Sequence, residues 1–161
     1  MSTSKWVGSW SVSPVEFTSA PIYFNNQTLR ARIKLSIGGT KIRLKFSNRF
    51  GHQPIFLSGV SVALEKDSDI AEGTNRSVTF HGESAITIQP EQEVIFSDEI
   101  ALTAADLSTI SISLFFSEKT SITTVYVGIL KNLASFYQSM IQVIICIQAS
   151  RVLKQWQISS I

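Results

Sequence analysis

The chain contains two histidines, the side chains most often used as the base of a hydrolytic site. His52 lies in the turn-forming sequence Gly-His-Gln-Pro, and His81 precedes Gly82 at the end of a strand-like run. Ester hydrolysis also needs a nucleophile on a constrained turn, but no Gly-x-Ser-x-Gly or Gly-Asp-Ser sequence is present. We therefore expect both histidines to be solvated turn residues and the chain to contain no catalytic residue.

A second polar group, Asp67, Asp69 and Glu72, brings three carboxylates into one short loop. Carboxylates are the ligands that Ca²⁺ prefers, but this spacing does not complete an EF-hand loop. The single cysteine, Cys146, allows neither an internal disulfide nor a Cys-x-x-Cys metal site. The sequence predicts no metal and no cofactor.

Apolar and basic residues alternate on both sides of Gly38-Gly39, which predicts two strands. A two-residue glycine turn would join them in a β-hairpin in which Leu35 faces Ile42. The same register sets Ile33 opposite Leu44 and Ala31 opposite Phe46. All of these apolar side chains are expected to be buried.

The predicted hairpin places six cations on one face: Arg30, Arg32, Lys34, Lys41, Arg43 and Lys45. Like charges across a strand pair are destabilising, so this face needs acidic neighbours such as Glu91 and Glu93, a bound anion or a partner. We take Arg30, Arg32 and Arg43 as candidate ligand-binding residues. Nucleic acid is not an expected partner, because the formal net charge is only +2 and no aromatic residue is interleaved with these cations on the basic face.

Aromatic residues crowd the first 24 positions: Trp6, Trp10, Phe17, Tyr23 and Phe24. Flat rings bind sugars, although aromatic residues near the terminus of a sandwich also close its core. We take Trp6, Trp10 and Tyr23 as candidate carbohydrate-binding residues.

The elements that must position these residues are short strands separated by turn formers. Besides the hairpin, strand-like runs cover residues 6–12, 55–64, 76–81, 85–88, 93–96, 109–116 and 122–127. This pattern predicts an all-β fold, an antiparallel β-sandwich of jelly-roll type. Residues 104–107 are compatible with one helical turn between strands.

Residues 129–161 differ from the rest in composition, since they contain no Asp, Glu, Gly or Pro, whereas residues 1–128 hold all 12 acids. Apolar residues recur there at spacings of 3 and 4, which indicates a helix, although residues 141–147 are also rich enough in β-branched residues for a buried strand. We divide the chain into a β-sandwich domain, residues 1–128, and a divergent C-terminal tail, residues 129–161. The tail is expected to be helical or disordered and to pack poorly.

No segment of the sequence resembles a targeting signal or a membrane span. The N-terminus lacks the apolar run of a secretory signal, so we expect a cytoplasmic protein, or an extracellular one if the true N-terminus is missing. The most apolar stretch, residues 140–147, is interrupted by Gln142 and is far too short to cross a bilayer.

Five blocks of sequence carry a resemblance to a known family. They are Trp6-Val7-Gly8-Ser9-Trp10-Ser11, Phe24-Asn25-Asn26-Gln27-Thr28-Leu29-Arg30, Gly38-Gly39-Thr40-Lys41-Ile42-Arg43-Leu44, Phe46-Ser47-Asn48-Arg49-Phe50-Gly51 and Phe96-Ser97-Asp98. In order and spacing, over about residues 6–127, they resemble the N-terminal β-sandwich of two-domain SGNH/GDSL-type hydrolases. That family carries its Gly-Asp-Ser, Gly-x-Asn-Asp and Asp-x-x-His blocks in a following α/β domain, and none of the three occurs here.

The resemblance implies a non-catalytic accessory domain of a carboxylic ester hydrolase, an esterase or lipase-like enzyme. It also implies a GDSL-type catalytic domain, normally in the same chain, as partner and acylated carbohydrate as a substrate class. A frameshifted or truncated gene product would account for the change of composition after about Leu130. The alternatives are a stand-alone carbohydrate-binding β-sandwich module and a purely structural domain.

Overall fold

The computed structural model describes residues 4–13, 15–16, 22–125 and 146–152, and these residues form antiparallel β-strands joined by turns and loops. In chain order the strands are β1 (Ser4–Trp10), β2 (Val15–Glu16), β3 (Ile22–Phe24), β4 (Gln27–Lys34), β5 (Lys41–Phe46), β6 (Ile55–Leu57), β7 (Gly59–Lys66), β8 (Asp69–Ile70), β9 (Arg76–Val78), β10 (Ile86–Ile88), β11 (Ile95–Phe96), β12 (Thr109–Phe116), β13 (Thr120–Ile122), β14 (Thr124–Val125) and β15 (Cys146–Val152). The predicted all-β class is confirmed. No helix in this part of the chain has the length and hydropathy needed to cross a bilayer.

Two sheets make up the body of the fold. The β5 sheet has the strand order β1-β15-β5-β11, and the β12 sheet has the order β4-β12-β7-β8 with β9 also paired to β7. Three two-stranded ribbons, β10–β6, β13–β3 and β14–β2, complete the described strands. The architecture is a sandwich-like arrangement, and jelly-roll connectivity remains a prediction.

The core lies between the two sheets, because each contributes its apolar face to one hydrophobic cluster. From β5 come Ile42, Leu44 and Phe46, and from β12 come Ile110, Ile112, Leu114 and Phe116, all fully buried. Ile33 and Leu35 are also buried. The burial predicted from the period-2 alternation is therefore confirmed.

The predicted Gly38-Gly39 hairpin is wrong, because β4 and β5 lie in different sheets. β4 pairs with β12 from Lys34↔Thr109 to Gln27↔Phe116, whereas β5 pairs with β15 and β11. The register that set Leu35 opposite Ile42 does not exist. Alternation identifies the buried face of each strand, but two strands facing each other across a core show the same pattern as two strands side by side.

The two glycines serve a crossing between the sheets rather than a hairpin turn. Neither has a positive φ, which the two-residue turns favoured in hairpins require. A Cβ on Gly38 would overlap the carbonyl oxygen of Ala104, and one on Gly39 would lie 2.5 Å from that of Ser150. The residues before β5 are instead held by other segments, since the Leu35 N–H donates to the Ser108 carbonyl at 2.8 Å.

Other predicted elements agree with the structure to different degrees. The run 109–116 is β12 with the same bounds, whereas the run 55–64 is divided at Ser58 into β6 and β7. Residues 104–107 do not form a helical turn: Ala104 makes a β-bridge to Gly39, and Leu107 has a φ of 63° in the turn that follows.

Part of the C-terminal tail is integral to the β5 sheet. β15 lies between β1 and β5, with Ala149 opposite both Val7 and Ile42. The expectation that the tail packs poorly is therefore wrong for residues Cys146–Val152. The helix-period segment of residues 130–144 lies outside the described residues.

Candidate functional site

The six cations assigned to one surface occupy two. Arg30, Arg32 and Lys34 follow the exposed positions of β4, on the outer face of the β12 sheet. Lys41, Arg43 and Lys45 alternate with the buried positions of β5, on the outer face of the β5 sheet. The expectation of one basic cluster fails because it depended on the hairpin.

On the β12 sheet, Arg30 and Arg32 have partners within the sheet. The Arg32 Nε donates to both carboxylate oxygens of Glu65, at 2.9 and 2.7 Å, and the Glu65 side chain is only 6% exposed. This hydrogen bond and the negative charge raise the pKa of Arg32 above its ordinary value. The Arg30 Nε donates to the Ser113 hydroxyl at 3.3 Å. Arg30 and Arg32 are thus accounted for by contacts within the fold.

On the β5 sheet, Arg43 lies over two aromatic rings that come from different strands. Its Cζ is 4.5 Å from the ring centroid of Trp6 on β1 and 4.8 Å from that of Phe96 on β11. Each distance is within the range of an attractive cation–π interaction. We call Trp6, Arg43 and Phe96 the Arg43 cluster.

The strand order explains why these three residues meet. Arg43 of β5 is opposite Gln148 of β15, which is opposite Gly8 of β1, so Trp6 is one outward position away along β1. On the other side, Phe96 of β11 is opposite Lys45 of β5. Sequence reasoning named Trp6 and Arg43 separately and missed Phe96.

The surroundings of the Arg43 cluster are positively charged. Lys41 and Lys45 flank Arg43 on the outward positions of β5, and none of the four strands of the β5 sheet contains Asp or Glu. The Lys41 Nζ pairs with Glu99 Oε2 at 2.6 Å, with both side chains about half exposed. Glu91 and Glu93 do not provide the expected compensation, since Glu93 pairs with Arg49 at 2.8 Å and Glu91 belongs to a turn with a φ of 61°.

The other predicted aromatic candidates lie apart from Trp6. Trp10 packs against the core and, with Lys34, lines a cleft of about 490 Å³. Tyr23 is 52% exposed on β3, with the Lys119 Nζ 4.9 Å from its ring centroid. Trp6, Trp10 and Tyr23 therefore do not form one sugar-binding platform.

The two histidines occupy exposed positions outside any triad-like arrangement. His52 is 74% exposed, and its Nε2 lies 3.7 Å from Glu16 Oε1. His81 is in a turn with a φ of 53°, where its backbone N–H donates to Asp98 Oδ1 at 3.0 Å. In the described part of the chain, neither imidazole forms a hydrogen bond with a serine or threonine hydroxyl. This geometry does not present an activated nucleophile.

The carboxylate loop of Asp67, Asp69 and Glu72 is a turn with local hydrogen bonding. Asp67 and Ser68 have φ values of 52° and 71°, and Asp69 Oδ1 accepts the Ile70 N–H at 2.7 Å. Over the described residues, no group of three or more His, Cys, Asp or Glu side chains is placed to hold a metal ion.

The blocks that carry the family resemblance contain the polar anchors of the fold. Ser9 is buried, and its carbonyl oxygen accepts the N–H of Ser36 at 3.0 Å, between β4 and β5. Asn48 is 1% exposed, and its Nδ2 lies 2.9 Å from the Gln53 carbonyl oxygen and 3.1 Å from that of Gln89. A Cβ on Gly51 would overlap the Asn48 amide, so the two residues are packed as a unit.

The block Phe96-Ser97-Asp98 has the same kind of role. The Ser97 hydroxyl accepts the Leu44 N–H at 3.0 Å. Asp98 accepts the Thr79 hydroxyl at 2.7 Å and the Gly82 N–H at 2.8 Å. These hydrogen bonds, that of Thr79 first, lower the pKa of the Asp98 carboxyl below its ordinary value, because they favour the charged form.

Comparisons with known proteins leave the family open. No protein-family model matches the chain, and a search of the curated proteins finds no match. The function must therefore be inferred from the geometry and from the sequence resemblance.

Proposed function

We propose that this chain is a non-catalytic accessory sandwich of a GDSL-type carboxylic ester hydrolase. In this role it binds a GDSL-type catalytic domain and positions the acyl substrate, for which acylated carbohydrate is the proposed class. The catalytic blocks of such an enzyme are not contained in this sequence.

One observation carries the proposal: the blocks that resemble the family are the ones that hold the sheets and loops in place. Ser9, Asn48 and Asp98 each bond to backbone or side-chain groups in another segment. Gly38 and Gly39 occupy places where a side chain would overlap another strand or loop. Because the resembling blocks contain these structural residues, the resemblance supports a shared sandwich rather than a shared active site.

The arrangement of the remaining polar residues supports a role without chemistry. Acyl transfer needs a nucleophile, a base and donors directed at the developing oxyanion. His52 and His81 are exposed and far from a triad geometry in the described residues. The proposal therefore assigns substrate cleavage to a catalytic domain.

The direct test is reconstitution with a GDSL-type catalytic domain expressed without its own sandwich. Isothermal titration calorimetry should detect a complex, and kcat/KM for an acetylated oligosaccharide should rise when this chain is added. Leu44→Asp is the matched control, because a carboxylate at this fully buried position should unfold the chain. The absence of a complex with several such catalytic domains, or equal stimulation by the control, would overturn the proposal.

A further inference from the structure

The outer face of the β5 sheet combines an excess of positive charge with exposed aromatic surface. Lys41, Arg43 and Lys45 of β5 lie on this face, and the four strands of the sheet contain no acid. Lys41 is paired with Glu99 in a solvated ion pair, whereas Lys45 has no ion pair within the described part of the chain. Such exposed pairs contribute little, about 0–1 kcal/mol, so the potential of this face stays positive.

The Arg43 cluster fixes one of these charges in a defined position. A guanidinium held over two rings loses less conformational freedom on binding than a free side chain would. Its planar donor group suits carboxylate and sulfate oxygens. The cluster is accessible, since Phe96 is 38% exposed and a Cβ on neighbouring Gly8 would meet no atom within 4 Å.

We propose that the Arg43 cluster and Lys45 form a binding site for an acidic saccharide, one whose sugar rings carry carboxylate or sulfate groups. Arg43 and Lys45 bind the oxyanion, and the exposed parts of Trp6 and Phe96 contact the C–H face of the sugar ring. The site stands on the β5 sheet alone and does not depend on a catalytic domain.

The same geometry disfavours single-stranded nucleic acid as the ligand. Base stacking requires an open ring face, and Arg43 lies over the faces of both Trp6 and Phe96. A ligand that needs an oxyanion contact and only partial ring contact fits the arrangement better.

The experiment is calorimetric titration of the full chain with trigalacturonate, a sulfated trisaccharide and neutral maltotriose. We expect both acidic sugars to bind and maltotriose not to bind. The acidic sugar with the lower Kd identifies the preferred anion. Arg43→Gln should weaken binding at least about tenfold, since it removes a charge-assisted contact. Lys45→Gln, which leaves both rings in place, should weaken it about threefold.

Lys66→Gln is the matched control, because Lys66 is an exposed cation at the end of β7 in the other sheet. The affinity of the Lys66→Gln variant for the acidic sugars should equal that of the parent chain. The thermal unfolding midpoint of each variant shows whether the variant is folded. The proposal is overturned if neither acidic sugar binds or if the Lys66→Gln variant binds these sugars as weakly as the Lys45→Gln variant does. Tighter binding of a deoxythymidine oligonucleotide than of both sugars would also overturn it.

Discussion

Asn48 is a buried amide that joins its own loop to two other segments through one side chain. Its Nδ2 lies within hydrogen-bond distance of the carbonyl oxygens of Gln53, Ile88 and Gln89. Asn48→Ala should lower the free energy of unfolding by about 2–4 kcal/mol, because the buried Ile88 carbonyl and the part-buried carbonyls of Gln53 and Gln89 would lose their donor. Urea denaturation followed by tryptophan fluorescence measures the change.

The control for this substitution is Asn75→Ala, at an exposed position. It should change the free energy of unfolding by less than about 0.5 kcal/mol. Equal stabilities of the Asn48 variant and the parent chain would show that these hydrogen bonds do not hold the loops.

Asp98 should make stability depend on pH in the acid range. Its pKa is lowered in the folded chain from an ordinary value of 3.8, so its contribution is complete above that value. As the pH falls through the lower folded pKa, the carboxyl is protonated and the contribution is lost. Unfolding midpoints measured between pH 6 and pH 2.5 should fall more steeply for the parent chain than for Asp98→Asn. Parallel curves would contradict the assignment.

The residues of the candidate site were only partly predictable from the sequence. Trp6 and Arg43 could be named because an aromatic residue near the terminus and a cation on a strand are recognisable types. Their contact could not be predicted, because it depends on β15 lying between β1 and β5. Phe96 was missed because its two-residue strand carries almost no periodic pattern.

At the scale of elements, the pairing of β4 with β12 rather than β5 has a direct chemical test. Arg30 and Ser113 are opposite each other across β4 and β12. In a Cys146→Ser background, cysteines at these two positions should form a disulfide under mild oxidation, because paired strands bring their Cα atoms within bonding range. Mass spectrometry and non-reducing electrophoresis detect it.

The matched pair is cysteine at Arg32 and Lys45, which the hairpin register would set opposite each other. In the structure these positions lie on the outer faces of different sheets. They should not crosslink within one molecule. A disulfide between positions 32 and 45, with none between positions 30 and 113, would instead support the Gly38-Gly39 hairpin.

β15 gives the second prediction about elements. Ala149→Pro should lower the free energy of unfolding by about 3 kcal/mol or more, since proline removes a backbone donor from a strand flanked on both sides. Ala149→Gly keeps that donor and should cost about 1 kcal/mol or less. If both variants unfold in urea at the same midpoint, β15 is not a central strand.

The fold class was predictable from the sequence, and the strand neighbours were not. Period-2 alternation identified the buried residues of β4 and β5, because a strand with one face on the core and one in solvent shows it. Which strand lies beside another depends on loops and on distant segments. The β-branched residues of 141–147 allowed a buried strand, but nothing in the tail indicated that Cys146–Val152 would lie between two other strands of a sheet.

At the scale of the whole molecule, charge and chemistry are distributed unevenly. On the β12 sheet Arg32 is paired with the buried Glu65 side chain, whereas on the β5 sheet Lys41 is paired with a half-exposed Glu99 and the strands themselves contain no acid. One outer face therefore resembles an ordinary solvated surface and the other a binding surface. Neither face presents a nucleophile next to a histidine in the described residues.

The central claim is that this chain supports binding and positioning while ester cleavage takes place elsewhere. The most direct measurement is the initial rate of p-nitrophenyl acetate hydrolysis by the purified chain as a function of substrate concentration. The account predicts a rate that does not saturate and that is the same in the double variant His52→Ala/His81→Ala. Saturation kinetics abolished by either histidine substitution would contradict it and would place a catalytic site within this chain.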